Sequence, residues 1–166
     1  SIVGVVLVFS DVTQRYRVEQ ALREREARLR TIIDTEPECV KVVSPEGRLL
    51  EMNAAGLAML QADSLADVQE KQLVDYIVPA YRKAFADLHR RVMHGEHGVL
   101  EFEVVGLKGT PRWLETHAAP LVDPVRGQTM LLGVTRDITE RKHAEAERAR
   151  MESQLRTAER MEAVGQ

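Results

Sequence analysis

Val134-Thr135-Arg136-Asp137-Ile138-Thr139-Glu140-Arg141 echoes Val8-Phe9-Ser10-Asp11-Val12-Thr13-Gln14-Arg15 at an offset of 126 residues, from Asp11 to Asp137. Asp, a β-branched residue, Thr, one polar residue and Arg recur in both. Each copy reads as a strand that runs straight into a charged helix. Asp-x-Thr alone is a sufficient helix cap with an acidic first turn, but capping does not account for two copies spaced one domain apart. A period of that size is a domain plus its linker. The chain is therefore expected to begin inside the last strand of a preceding, similar domain, with Ile2 to Phe9 as that strand.

Working outward from the echo, the charge is concentrated at both ends. Thr13 to Arg30 and Glu140 to Met161 are dense in Glu, Arg, Gln and Ala, the composition of long solvated helices. Val18, Leu22, Arg25, Leu29 and Ile32 follow a four-three spacing, as do Ala144, Arg148, Met151, Leu155, Ala158 and Glu162. That spacing holds residues on one seam of a coiled coil, so Val18, Leu22, Leu29, Ile32, Met151, Leu155 and Ala158 are the expected dimer contacts. The second seam, with two charged members and two alanines, is weak.

The middle breaks into short apolar runs punctuated by Gly and Pro. Cys39 to Ser44 and Arg48 to Met52 read as a hairpin around Pro45-Glu46-Gly47. Asn53 is placed to cap a helix from Ala54 to Leu60. Helical pieces follow at Leu65 to Gln69 and Leu73 to Val78, and Pro79 opens a longer helix to Met93. Val99 to Leu107, Arg112 to Val122 and Gln128 to Asp137 read as three more strands. Two strands, several helices and three strands make an α+β domain, its helices on one face of a mainly antiparallel sheet.

These landmarks resemble a PAS domain. They are the exit motif Asp137-Ile138-Thr139 with Glu140-Arg141-Lys142, the Pro45-Glu46-Gly47-Arg48 turn leading to Asn53-Ala54-Ala55, Lys108-Gly109, and Trp113. The last residues, Arg160-Met161-Glu162-Ala163-Val164-Gly165-Gln166, resemble the entry to the dimerisation and phosphoacceptor helix of sensor histidine kinases. The resemblance implies a five-stranded PAS-like sheet between two signalling helices. Residues 1–13 would end a preceding PAS-like domain, 14–33 form a signalling helix, 34–139 the sensor, and 140–166 the helix leading to a kinase.

The resemblance also implies a role. Asp137, Ile138, Thr139 and Trp113, with Asp11 and Thr13 in the first copy, would transmit signals from sheet to helix. Asp137 is expected to pair with a basic residue near the first helix, Thr139 to cap the second, and Ile138 to pin them. The fragment would contain no active site of its own but control autophosphorylation of downstream kinase domains, which act on a response regulator. The alternatives are a ligand-free PAS spacer that only dimerises, and a haem-binding gas or redox sensor.

By alternation Val40, Val42, Leu50 and Met52 face inward. Leu73, Ile77, Phe85 and Leu88 from the helices, and Leu114, Thr116, Leu132 and Val134 from the later strands, face them. These residues serve as a filled core or as a small-molecule cavity, with core the default. No cofactor is expected. Flavin-binding photosensory PAS domains carry Asn-Cys where this chain has Asn53-Ala54. His89, His94 and His97 are weak haem candidates, and His94-x-x-His97 with Glu96 is a thin metal signal.

Bulk composition narrows the classes further. The 166 residues carry 23 Lys+Arg against 26 Asp+Glu, net −3, which offers no footprint for nucleic acid or an anionic membrane. The single cysteine, Cys39, permits no internal disulfide and suits a reducing compartment, so a cytoplasmic location is expected. Ile2 to Phe9 is too short to span a bilayer. There is no Gly-x-Ser-x-Gly, phosphate-binding glycine loop or Cys-x-x-Cys.

Overall fold

The structure, a computed structural model, describes the backbone of residues 2–165 and the side chains of residues 8–165. It divides into two units, residues 1–36 and 37–166.

The first unit is one helix, α1 (Ile2–Thr35). This corrects the strand expected from Ile2 to Phe9. A lone strand leaves its N–H and C=O groups without partners, whereas a helix satisfies them within the segment. The β-branched residues cost only a few tenths of a kcal/mol each in a helix. Asp11 and Thr13 lie exposed inside α1, and Thr13 Oγ1 donates to the Phe9 carbonyl at 2.8 Å. The first copy of the echo is therefore no strand-to-helix exit in this structure. Val18, Leu22, Leu29 and Ile32 are each at least half exposed along the helix.

The second unit runs β1 (Cys39–Val43), β2 (Leu49–Met52), α2 (Ala54–Met59), α3 (Leu65–Gln69), a 3-10 turn (Leu73–Tyr76), α4 (Pro79–Met93), β3 (Gly98–Val105), β4 (Pro111–Val122), β5 (Thr129–Asp137) and α5 (Thr139–Gly165). The five strands form one antiparallel sheet in the order β2-β1-β5-β4-β3. β1 and β2 join at a turn where Gly47 has φ +83°, a conformation that favours glycine. The chain then crosses one face of the sheet through α2, α3 and α4 and returns as the β3-β4-β5 meander. This places β5, the exit strand, in the centre beside β1.

Local chemistry sets the helix ends. Asn53 Oδ1 accepts from the Gly56 N–H at 3.1 Å and from the Val40 N–H at 2.9 Å, so one buried amide starts α2 and ties it to β1. Pro79 opens α4, which buries Phe85, Leu88 and Val92 against the sheet, each contributing about 1.5–3 kcal/mol. Val43, Leu49, Val68, Ile77, Phe102, Val104 and Leu131 complete the core.

The sheet faces correct the expected inward set. On β1 the buried residues are Cys39, Lys41 and Val43, while Val40 and Val42 lie half-buried on the opposite face, paired with Val134 and Leu132 of β5. Leu132 and Val134 are therefore also outward. Alternation fixes which residues share a face but not which face is covered. The inner positions here hold the small Cys39 against Gly56, whose missing Cβ would sit 2.6 Å from Cys39 Sγ. Leu50 is 40 % exposed. Val43 opposes Leu49 and Val42 opposes Glu51, so Leu50 is the extra residue of a β-bulge.

Among the described residues, no helix is long and apolar enough to cross a membrane.

Candidate functional site: the exit junction and the cavity behind it

The end of β5 is locked to its neighbour and to the start of α5. Asp137 Oδ2 accepts from Arg112 Nη1 at 2.7 Å, and Oδ1 accepts from the Thr139 N–H at 2.9 Å and from its hydroxyl at 2.5 Å. The Thr139 hydroxyl oxygen in turn accepts from the Trp113 N–H at 2.9 Å, and the Ile138 N–H donates to the Trp113 carbonyl at 2.8 Å. Ile138 is 3 % exposed. The three residues thus extend the β4–β5 ladder by one turn of chain and then become α5. Ile138 is buried between the end of β5 and the start of α5, and Asp137 and Thr139 sit at the helix start. The partner of Asp137, however, is Arg112 of β4 rather than a base near the first helix, because antiparallel pairing brings the start of β4 beside the end of β5.

Desolvation by itself raises the Asp137 carboxyl. The hydrogen bonds from Thr139, side chain and backbone, and the Arg112 guanidinium outweigh it and hold the group below its ordinary range. Arg112 Nε is buried without a hydrogen-bond partner, so this side chain is positioned at a cost and depends on Asp137 for compensation.

Trp113 sits between two helices. Its ring meets Tyr81 of α4 edge-on, with centroids 5.4 Å apart at 73°, and Lys142 Nζ of α5 lies 5.0 Å from its centroid. Lys142 and Arg141 both reach Glu101 of β3, Arg141 at 2.5 Å. The Lys142 hydrogen bond is the main reason that the Glu101 carboxyl lies below its usual range. The first turn of α5 is thereby fastened to three strands and, through Trp113, to α4.

One turn further along α4, Phe85 faces a cavity of about 20 Å³ between helices and sheet. Met52, Leu73, Ile77, Phe85 and Leu114 line it as expected, joined by Cys39, Lys41, Gly56, Met59, Leu60, Tyr76, Phe102, Val104 and Thr135. Leu88 and Thr116 are buried beside it without lining it. Val40, Val42, Leu50, Leu132 and Val134 lie outside. The volume suits about one water molecule, so most of the predicted set is packed core.

Lys41 was hidden in the sequence by its apolar neighbours. It is 4 % exposed, and its Nζ donates to Thr135 Oγ1 at 2.6 Å, which shares a 2.8 Å hydrogen bond with Thr116 Oγ1. Burial pushes its amine below the ordinary value and pushes the Cys39 thiol up.

The three histidines are not brought together and none lines the cavity. His89 Nε2 lies 2.9 Å from the Ser44 carbonyl, His94 Nδ1 lies 2.7 Å from the Arg90 carbonyl, and His97 is exposed. Among the described residues there is no cluster of His, Cys, Asp and Glu suited to a metal ion.

A family model described as PAS fold matches residues 33–143, two-thirds of the chain. The chain belongs to the PAS fold family. Solved PAS structures share the architecture. The PAS domain of an HTR-like protein from Haloarcula marismortui superposes with a TM-score of 0.65 at 20 % identity, covering 74 % of this chain and 99 % of that one. A domain of the sensory box sensor histidine kinase/response regulator from Geobacter sulfurreducens gives 0.57 at 19 % identity over 70 % and 96 % of the two chains. The blue-light-activated histidine kinase of Brucella ovis is 34 % identical over 77 residues, which span 46 % of this chain and 15 % of the relative. The match thus covers a small part of that kinase's length. In this PAS unit the exit junction and the cavity share α4 and β5 as common walls.

Proposed function

We propose that this chain is the sensing and relay segment of a two-component sensor histidine kinase. An input that alters packing beneath the sheet would shift β5 and α4, and the Asp137-Ile138-Thr139 junction would convert that shift into a rotation or register change of α5. The observation that carries the reading is the double fastening of α5. Asp137 and Thr139 bind it to β4, and Lys142 stacks it on Trp113, which α4 also touches. Kinase output is supported by the partial relatives, which are named histidine kinases.

The exposed stripes Val18, Leu22, Leu29, Ile32 on α1 and Met151, Leu155, Ala158 on α5 support parallel pairing with a second copy. Kinase domains in the same protein, a response regulator and a cytoplasmic site of action complete the proposal. Blue light is not part of the reading. Asn53 is followed by alanine, and the single thiol, Cys39, stands on β1.

The test is autophosphorylation of the full-length protein carrying Asp137→Asn or Thr139→Val, followed with radiolabelled ATP. Loss of a coupling of about 1.4 kcal/mol shifts the rate about tenfold, up or down. An unchanged rate, with the variant protein folded, removes the junction from the relay. A second reading, a ligand-free dimerising spacer, is favoured by the small cavity volume.

A further inference from the structure

Lys41 is buried inside the PAS unit, lines the cavity, and has no acidic side chain within ion-pairing distance among the described residues. Its one hydrogen bond is to Thr135, which leaves two of its three donors unused if it is charged. A lone ammonium in an apolar enclosure is costly, so the charged form of Lys41 is favoured there only when an anion lies beside it. Cys39 does not supply one, since burial keeps its thiol protonated. Beyond Lys41, the hydroxyl-bearing side chains of the lining are Thr135, with Thr116 behind it, and Tyr76, whose hydroxyl lies 3.4 Å from the Asp67 carbonyl.

We propose that the cavity is a binding site for a short-chain monocarboxylate, with Lys41 and Thr135 holding the carboxylate and the methionines accommodating the tail. The charge fits a single negative group, since no second cation lines the cavity to balance a phosphate dianion. The apolar walls are Met52, the cross-strand partner of Lys41, with Met59, Phe85 and Leu114. Methionine is unbranched and adapts to irregular space, so Met52 and Met59 are the walls able to move. The present volume of about 20 Å³ holds about one water molecule, so head group and tail together are limited to what those two side chains vacate. The head group would act on β5 two residues before Asp137. As the input to a kinase this rests on the relay reading above, but as a binding site it does not.

The experiment is a titration of the 166-residue chain with sodium propionate, with propionamide as the uncharged match and sodium chloride at equal ionic strength. The readouts are the melting temperature and the side-chain NMR signals of lysine labelled with carbon-13, with the Lys41 signal assigned by its loss in Lys41→Met. Propionate is expected to raise the melting temperature and to move the Lys41 signal, with neither control doing so. Lys41→Met is expected to weaken propionate about tenfold or more. A Lys41 signal that stays still, or an equal response to propionamide or chloride, overturns the site. If Lys41→Met does not fold, the lysine signals titrated in the unaltered chain still decide, since a buried lysine stands apart from the solvated ones. Propionate binding that leaves the kinase rate unchanged counts against the relay and not the site. A kinase that responds to Asp137→Asn without any propionate binding counts against the site and not the relay.

Discussion

At the scale of single residues, Lys41 and Asp137 show how burial and partners pull charge in opposite directions. Lys41 is protonated freely in the unfolded chain but resists protonation when buried, so the unfolded state binds more protons. Stability should therefore rise with pH between the lowered folded value and the ordinary 10.5. Above 9.0 the raised Cys39 thiol works against this, because the unfolded chain then releases its proton first. Lys41→Met is expected to raise the melting temperature at neutral pH by a few degrees, about 1 kcal/mol, and to flatten the alkaline rise, both read by thermal melts across pH. Asp137 gives a slope of the same sign, but here the fold favours the charged form rather than opposing it. Its carboxyl is lowered, so its contribution is present above 3.8 and is lost as pH falls through the folded value. Asp137→Asn should make the acid limb of the melt profile shallower. Neither residue's environment was legible beforehand: the run Cys39 to Ser44 reads as an apolar strand, and nothing local to Asp137 names Arg112.

At the scale of elements, the junction separates holding from signalling. Ile138 is packed in the core at 3 % exposed, and Ile138→Ala is expected to cost about 2–4 kcal/mol, measured by denaturant unfolding. Asp137 and Thr139 are partly exposed, so their loss should change kinase rate far more than stability. The helix boundaries were largely readable, because Asn53 and Pro79 act through the backbone within one turn. The two helices α2 and α4 begin where those residues place them. The strand faces were not readable. A valine-lysine-valine alternation is equally compatible with either face, and the bulge at Leu50 shifts the register by one residue on a strand of four. The same ambiguity turned Ile2 to Phe9 from an expected strand into the start of α1, since a strand exists only where another strand meets it.

At the scale of the whole molecule, the apolar stripes on α1 and α5 set the assembly prediction. The 166-residue chain is expected to sediment as a dimer. Leu22→Glu with Leu29→Glu should shift it toward monomer in analytical ultracentrifugation while near-ultraviolet circular dichroism of the Trp113 environment stays unchanged. A dimer that survives both changes places the interface elsewhere. From Cys39 onward the sequence by itself determined the order of elements and the starts of α2 and α4, which depend on periodicity, capping and turn chemistry acting over a few residues. Its exit motif and companion landmarks carried the resemblance to a PAS domain. Only the tertiary structure decided that Lys41 is inside, that Val40 and Val42 are outside, that Arg112 holds Asp137, and that Tyr81, Trp113 and Lys142 stack across three elements. Those facts depend on which face of a sheet is covered and on pairings between distant strands. Contacts of that kind are fixed by packing the whole domain and leave no local trace in the chain.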